Sequence, residues 1–490
     1  MKQTKIVCSI SDLRCDEDFL RKLFFAGMNV VRINTAHATP KGMKAIIKNV
    51  RAVSSNLGIL IDTKGPEIRT TNVAEPIKYK TGEIVKIFGR PDVETTHDSI
   101  NVSYPDITKD VKVGDDVLFD DGAICMRVIE NMGPMLVTQV QNEGELGAHK
   151  SVNIPGEHID LPALTPKDKR NILFAIDQDI DFIAHSFVRN ASDVKAVQDI
   201  LDKHHSDIKI ISKIENQEGV DNIDEIIDAS YGIMVARGDL GIEVPLEDIP
   251  GIQRRIIRKC VMKKKPVIVA TQMLHTMIQN PRPTRAEVTD IANAIYSRTD
   301  ALMLSGETAS GKYPVEAVKT MARIAEQAEK DRTWEPAINP MPDKCDSQRE
   351  FLAHSAIEST RHLGVKGIIT DSETGLTARH LSSFRGPTPI LAICYREKTL
   401  RLLNLSYGIL PILQKEKATP EYIFTAAIRM LRQKGYVESN DRIAYLTGSI
   451  GKSGGTTLLE INRVSQVFDK SYSFHFPRYK KPEIEEAANK

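Results

Sequence analysis

The sequence predicts an α/β protein: a (β/α)8 barrel with an inserted β-barrel-like lid domain and a C-terminal α/β domain. Three observations lead there. Short β-branched runs alternate with helix-like segments eight times up to Leu304, the rhythm of a parallel barrel. That rhythm breaks once, between Thr70 and about Leu161, into short alternating runs with turn punctuation. After a Pro-rich stretch the rhythm returns on a smaller scale.

Each element has its reason. Lys5–Ile10 is the first strand-like run, followed by an amphipathic segment at Asp16–Ala26. Asn29–Asn34 is the second run and Ile59–Asp62 the third, with helix-like Lys41–Ser54 between them. The inserted stretch is punctuated at Gly82, Gly114-Asp115, Asp121-Gly122, Gly133-Pro134, Gly144 and Pro155-Gly156. Thr165-Pro166-Lys167-Asp168 restarts the alternation as a capped helix with proline just inside the cap. The remaining runs are Asp181–Ser186, Ile208–Lys213, Gly232–Ala236, Pro266–Ala270 and Ala301–Leu304. An open doubly wound sheet is the other arrangement, but such sheets normally stop at about five to seven strands. Pro314–Lys330 reads as the closing helix and Trp334–Lys344 as a linker. Strands at Gly367–Thr370, Pro389–Cys394 and Arg442–Leu446, with a helix at Pro420–Lys434, define the last unit. The domains expected are therefore residues 1–69 with 163–340 for the barrel, 70–162 for the lid, 345–477 for the C-terminal unit and 478–490 for a tail.

Composition narrows the function classes. A chain of 490 residues is too long for one compact core. Its 66 basic and 65 acidic residues leave a formal charge of +1, which offers no footprint for nucleic acid or an anionic membrane. Six scattered cysteines without C-x-x-C spacing argue against a zinc site or disulfide framework and for a reducing, cytoplasmic setting. The opening MKQTKIVCSI lacks a signal-peptide apolar core, and no run is long enough to span a bilayer.

The chemistry concentrates between Lys209 and Gly241. One run ends in Ser212-Lys213-Ile214-Glu215 and the next in Arg237-Gly238-Asp239. Strand alternation puts Lys213 and Glu215 on one side and Ile214 on the other. Glu215 and Asp239 could hold one hard divalent cation through oxygen. Lys213 would add a compact positive charge, and the set would stabilise a developing enolate or a transferred phosphoryl group. A structural ion pair at a barrel rim gives the same spacing.

The other strand ends resolve that choice. They read DTKGPEIR (Asp62–Arg69), ISKIEN (Ile211–Asn216), MVARGDLG (Met234–Gly241), ATQML (Ala270–Leu274), PRPTRAE (Pro281–Glu287) and MLSGETA (Met303–Ala309). With these strings the chain resembles the pyruvate kinase family along nearly its whole length, in a form like the bacterial members. The resemblance implies a transferase of glycolysis that moves the phosphoryl group of phosphoenolpyruvate to ADP, giving pyruvate and ATP. It implies magnesium (or manganese) on Glu215 and Asp239. Lys213 and Arg32 would contact the phosphoryl group, and the backbone near Gly238 and Asp239 the substrate carboxylate. Thr271 would pass a proton through water to the methylene carbon, with Ser305 and Glu307 in the same relay. Asn34, His37, Arg69 and Asp121 would face the nucleotide, and Asn34, Asp62 and Thr63 a potassium ion. Ser372, Thr374, Thr377 and Lys452 resemble a sugar-phosphate effector pocket, and the family suggests an allosteric homotetramer.

Two departures matter. Ser11-Asp12 stands where the family usually has Gly-Pro, beside the nucleotide, and Ala36-His37-Ala38 where it has Ser-His-Gly, so a cation-binding hydroxyl is missing. Asp371 and Glu373 add negative charge to the effector loop, so weak or absent activation by fructose 1,6-bisphosphate is expected. Glu67 goes with a potassium requirement in the family. Two other functions fit parts of the pattern: a metal-dependent lyase or aldolase acting on pyruvate or phosphoenolpyruvate, and an inactive metabolite-sensing paralogue. The lid and DTKGPEIR disfavour the first, and intact Lys213, Glu215, Asp239 and Thr271 the second.

Overall fold

The computed structural model describes residues 2–331, 340–341, 345–414, 420–448 and 455–468. Eight parallel strands close into a barrel: β1 Lys5–Ser9, β2 Val30–Asn34, β3 Gly58–Asp62, β4 Phe182–His185, β5 Lys209–Ile214, β6 Gly232–Ala236, β7 Val267–Ala270 and β8 Ala301–Leu304. Each pairs with its sequence neighbours, and β8 returns to β1 through Lys5 opposite Ala301. These strands are covered on both faces, which explains their continuous apolar runs. Val7, Val30, Leu60, Phe182, Ile211, Met234, Ile268 and Met303 fill the interior. Alternate positions, such as Ile6, Val31, Ile183 and Ile233, pack outward under the helices.

The helices start where the sequence places caps. Asp16 accepts from the Phe19 N–H, and Thr39, with Pro40 behind it, from that of Gly42. Thr165 and Asp168 form a reciprocal capping box, as do Thr284 and Glu287.

The insertion after β3 is a half barrel, a mixed sheet of seven strands. Their order is Ile68–Arg69, Ser151–Asn153, Asp116–Phe119, Ile124–Asn131, Leu136–Val140, Ile84–Phe88, Ser99–Asn101. Only the last pair is parallel. Its own core includes Tyr79, Ile87, Phe119, Met126 and Leu136.

The C-terminal sheet has five strands, in the order Ile409–Leu413, Ile390–Cys394, Val365–Ser372, Arg442–Gly448, Thr456–Arg463. Sequence reasoning found the middle three. Ile409–Leu413 hides behind Pro411, which is tolerated because the strand lies at the edge. Thr456–Arg463 is the antiparallel edge opposite and is half exposed, so it carries no apolar run. The linker at 334–344 falls largely outside the described residues, and the tail entirely.

The C-terminal unit closes the lower end of the barrel. Its Leu402 and Leu405 join the interior cluster. Arg401 donates to Asp181 ahead of β4 at 2.6 Å, and Arg385 to Asp300 ahead of β8 at 2.5 Å. The opposite rim, where the strands end, is left open to the lid.

Candidate active site

The site grows from the ends of β2 to β6. Asp62 ends β3, fully buried, and its carboxylate bridges two cations. Arg32 Nε lies 2.6 Å from Oδ2 and Lys213 Nζ 3.1 Å from Oδ1. Lys213 Nζ also sits 2.8 Å from Glu215 Oε1 and donates to Ser186 Oγ at 2.7 Å. Lys213 and Glu215 do share one side, as strand alternation requires. Glu215 is fixed from behind by the Phe187 N–H, 2.6 Å from Oε2. Arg32 is steadied by Ser9 Oγ at 2.9 Å.

The charges follow from burial and pairing. Burial alone would lower the Lys213 ammonium; the Asp62 and Glu215 carboxylates outweigh it and hold the group above its ordinary value. Burial likewise opposes ionised Asp62, but Arg32 and Lys213 keep its carboxyl below the usual range. Glu215 goes the other way. Burial pushes it up, to about 8, and the nearby Asp239 carboxylate adds to the push. Glu215, with a second carboxylate beside it, is thus short of positive charge, which fits a hard divalent cation shared with Asp239. Among the described residues no group of three or more His, Cys, Asp or Glu side chains could hold a metal. Two carboxylates suffice for magnesium, which keeps its waters or takes ligand oxygens.

Beyond β6, the helix Arg237–Glu243 begins at once, with Gly238 and Asp239 in its first turn. The Gly238 N–H donates to Thr271 Oγ1 at 2.7 Å, and that hydroxyl donates to Ala270 O at 2.7 Å. Thr271 therefore caps a neighbouring helix across the rim rather than its own. Its φ is +67° and that of Gln272 +53°, two successive left-handed residues just past β7. For a β-branched side chain this is an outlier costing about 1–3 kcal/mol, sustained only where the surroundings over-determine it. Arg237 does so here: it donates to Thr271 O at 2.8 Å and pairs with Asp290 at 2.7 Å. At the next strand end both oxygens of buried Glu307 accept backbone N–H groups, from Ser305 at 2.7 Å and Leu274 at 3.1 Å.

Lid and barrel enclose a cleft of about 290 Å3, lined by Glu67, Arg69, Asp121, Asn216, Asp239 and Glu243 among others. It brings Arg69 and Asp121 together with Asp239. Asn34 and His37 do not line it. Asn34 Oδ1 accepts from the Ala36 N–H at 3.0 Å, and His37 is exposed. Arg69 is held by Glu67 at 2.5 Å and by His149 O at 2.7 Å. Asp121 accepts from Ser151 Oγ at 2.6 Å. Of the three residues matched to a cation, Asn34 lies opposite Asp62 in register, with Thr63 next. The Asp62 carbonyl already accepts from Thr35 N–H at 3.1 Å and Oγ1 at 2.8 Å, so only the carboxylate has oxygen to offer. Thr63 O accepts from Ser186 Oγ at 2.7 Å.

In the C-terminal loop, Ser372 Oγ accepts from the Gly375 N–H at 2.8 Å and Thr377 Oγ1 meets Thr456 Oγ1 at 2.8 Å. Thr374 is exposed. Lys452 lies outside the described residues.

Ser186 was missed by sequence reasoning. It follows β4 in the string HSF, and its inward register beside Lys213 was the available signal. Arg237 and Asp290 were missed too, because their partners are backbone and a distant helix.

A closed parallel barrel with a lysine clamped between acids on its open rim, roofed by a β insertion, has the build of an α/β-barrel enzyme. Comparison with known proteins narrows the class. The family described as "Pyruvate kinase, barrel domain" matches residues 1–318, and "Pyruvate kinase, alpha/beta domain" matches residues 350–462. A curated pyruvate kinase of Borreliella burgdorferi is 46% identical over 468 residues, 94% of this chain and 98% of the relative. One of Bacillus licheniformis is 42% identical over 483 residues, 96% of this chain and 82% of the relative. A crystal structure of a pyruvate kinase from Cryptosporidium parvum superposes with a TM-score of 0.90 at 36% identity, covering 94% and 96% of the two chains. The chain belongs to the pyruvate kinase family of phosphotransferases.

Proposed function

We propose that the chain catalyses transfer of the phosphoryl group of phosphoenolpyruvate to ADP, giving pyruvate and ATP, as a step of glycolysis in the cytoplasm. The observation that carries this reading is Lys213, buried between Asp62 and Glu215 at the rim below the lid. Its charge is fixed before substrate arrives, so it stabilises the oxyanion that forms on the enolate and the charge on the phosphoryl group without reorganisation.

Arg32, oriented by Asp62 and Ser9, presents its remaining guanidinium donors to the phosphoryl oxygens. Backbone N–H groups near Gly238 and Asp239 receive the substrate carboxylate, which takes the place of Thr271 Oγ1 on the Gly238 N–H. Glu215 and Asp239 would hold magnesium (or manganese), which supplies Lewis-acid charge opposite the substrate oxygens. The Thr271 hydroxyl moves a proton, through water, towards the methylene carbon of enolpyruvate. Ser305 serves the same relay, while Glu307 positions it through the two backbone N–H groups it binds. Arg69 and Asp121, from barrel rim and lid, face the nucleotide in the cleft, while Asn34 and His37, outside that cleft, are assigned to the nucleotide from the family pattern alone. The lid excludes water, which would otherwise accept the phosphoryl group. Asn34, Asp62 through its carboxylate, and Thr63 would hold potassium, which supplies the charge that no lysine at position 67 provides. The homotetramer and an effector site at Ser372, Thr374, Thr377 and Lys452 belong to the same reading, as do the domain limits given above.

The test is pyruvate formation by the purified protein with phosphoenolpyruvate and magnesium, with and without ADP. Dependence on ADP supports the reading; pyruvate release at the same rate without ADP makes the protein a phosphatase or lyase.

A further inference from the structure

A small cavity lies where the lower end of the barrel meets the C-terminal unit, far from the open rim. Its walls come from the turn ahead of β7 and from the helix Leu376–Ser383 with its neighbours, and they are basic: Lys264, Lys265, Arg379 and Arg385 line it with one carboxylate, Asp300. Two of the four cations are paired. Lys264 meets Glu350 at 2.6 Å and Arg385 meets Asp300 at 2.5 Å. Lys265 and Arg379 form no ion pair among the described residues. Lys265 donates to Ser230 O at 2.6 Å, and the Arg379 guanidinium lies 4.8 Å from the centre of the Tyr231 ring.

Donors are left over as well. Ser406 lines the cavity, is 2% exposed, and its hydroxyl has no hydrogen-bond partner. Arg379 Nε is buried and also lacks an acceptor. A buried donor left unmade costs about 1–3 kcal/mol, and the Lys265 and Arg379 charges repel, offset only in part by the Asp228 carboxylate and the Tyr231 ring. Burial, followed by the Arg379 charge, lowers the Lys265 ammonium. One anion would answer the repulsion and both open donors.

We propose that this junction binds a phosphate-class oxyanion, with one oxygen entering beside Ser406 and the others meeting Lys265 and Arg379 at the mouth. The cavity volume, about 10 Å3, admits a single water-sized group, so the rest of the ligand stays outside. The forked donors of arginine suit an oxyanion better than a halide. Inorganic phosphate and a phosphate monoester present the same group. Because the donors come from both units, the anion strengthens docking of the C-terminal unit on the barrel. The proposal does not depend on the reading of the rim.

The experiment is thermal unfolding of the full chain in increasing inorganic phosphate, against chloride at equal ionic strength. A saturable rise in Tm specific to phosphate is expected. Lys265→Gln and Arg379→Gln should each weaken the apparent phosphate affinity at least about tenfold, while Arg32→Gln and Ser372→Ala, at the two other places suited to phosphate, keep it. Equal effects of chloride, an unchanged phosphate effect in Lys265→Gln and Arg379→Gln, or its loss in Arg32→Gln alone would overturn the proposal. If those variants do not fold, wild-type crystals soaked in millimolar tungstate decide: an anomalous peak at the junction is expected, and its absence overturns the assignment.

Discussion

Replacing Lys213 with Met removes the charge at the centre of the site and separates two roles. Lys213 Nζ meets Glu215 at 2.8 Å and Asp62 at 3.1 Å, and both carboxylates are at most 1% exposed. Arg32 remains for Asp62, but Glu215 loses its only cation among the described side chains. Breaking a buried pair from one side costs about 3–5 kcal/mol; a lowered Tm is therefore expected, partly restored by magnesium if that ion sits on Glu215. The catalytic effect is separate. Removing one preorganised electrostatic stabiliser lowers kcat by at least about a hundredfold, or roughly 2.7 kcal/mol in the barrier. Because the charge acts mainly in the transition state, KM for phosphoenolpyruvate should move much less. Steady-state rates coupled to NADH oxidation, with phosphoenolpyruvate varied at saturating ADP and at a temperature where circular dichroism shows the variant folded, give both numbers. A folded variant with kcat within about threefold of wild type would reduce Lys213 to a structural ion pair and refute the reasoning.

Other consequences follow from the same contacts. Glu67→Lys should reduce the potassium requirement, yet it also releases Arg69, now held at 2.5 Å; a raised KM for ADP should accompany the change, measured with potassium varied against a bulky tetraalkylammonium salt. His185 is buried at the end of β4, and burial holds its pKa down to about 4 from an ordinary 6.5. The unfolded chain therefore binds the proton first as pH falls. This contribution is fully present above pH 6.5 and is lost progressively down to about pH 4, by roughly 3 kcal/mol; His185→Leu should flatten the urea midpoint over that window. Arg385→Met strands Asp300 beneath β8 and should cost about 3–5 kcal/mol, read as a lower unfolding midpoint, with the double change Arg385→Met/Asp300→Asn less damaged than the single one.

The barrel was legible because parallel strands covered on both faces cannot hide: Val7, Ile59 and Val269 sit in uninterrupted apolar runs. Its caps were legible because Thr-Pro-x-Asp satisfies a helix start locally. Edge strands were not, since Pro411 resembles a turn and Thr456–Arg463 is half polar. At the site, Lys213 and Glu215 could be read from strand alternation over a few residues, and Asp239 from its place just past the next apolar run. Asp62 as a bridge between Arg32 and Lys213 could not, because the three come from β3, β2 and β5 and meet only when the barrel closes. The left-handed backbone of Thr271 and Gln272 was hidden for the same reason: Arg237 and Asp290 impose it from elsewhere.

The central claim is that the phosphoryl group goes to ADP and not to water. Phosphoenolpyruvate labelled in its phosphoryl group, mixed with excess protein, magnesium, potassium and ADP for a single turnover, tests it directly. The label is expected in the γ-phosphate of ATP, in amounts equal to the pyruvate formed. Label appearing mainly as inorganic phosphate, or pyruvate formed without labelled ATP, would contradict the account.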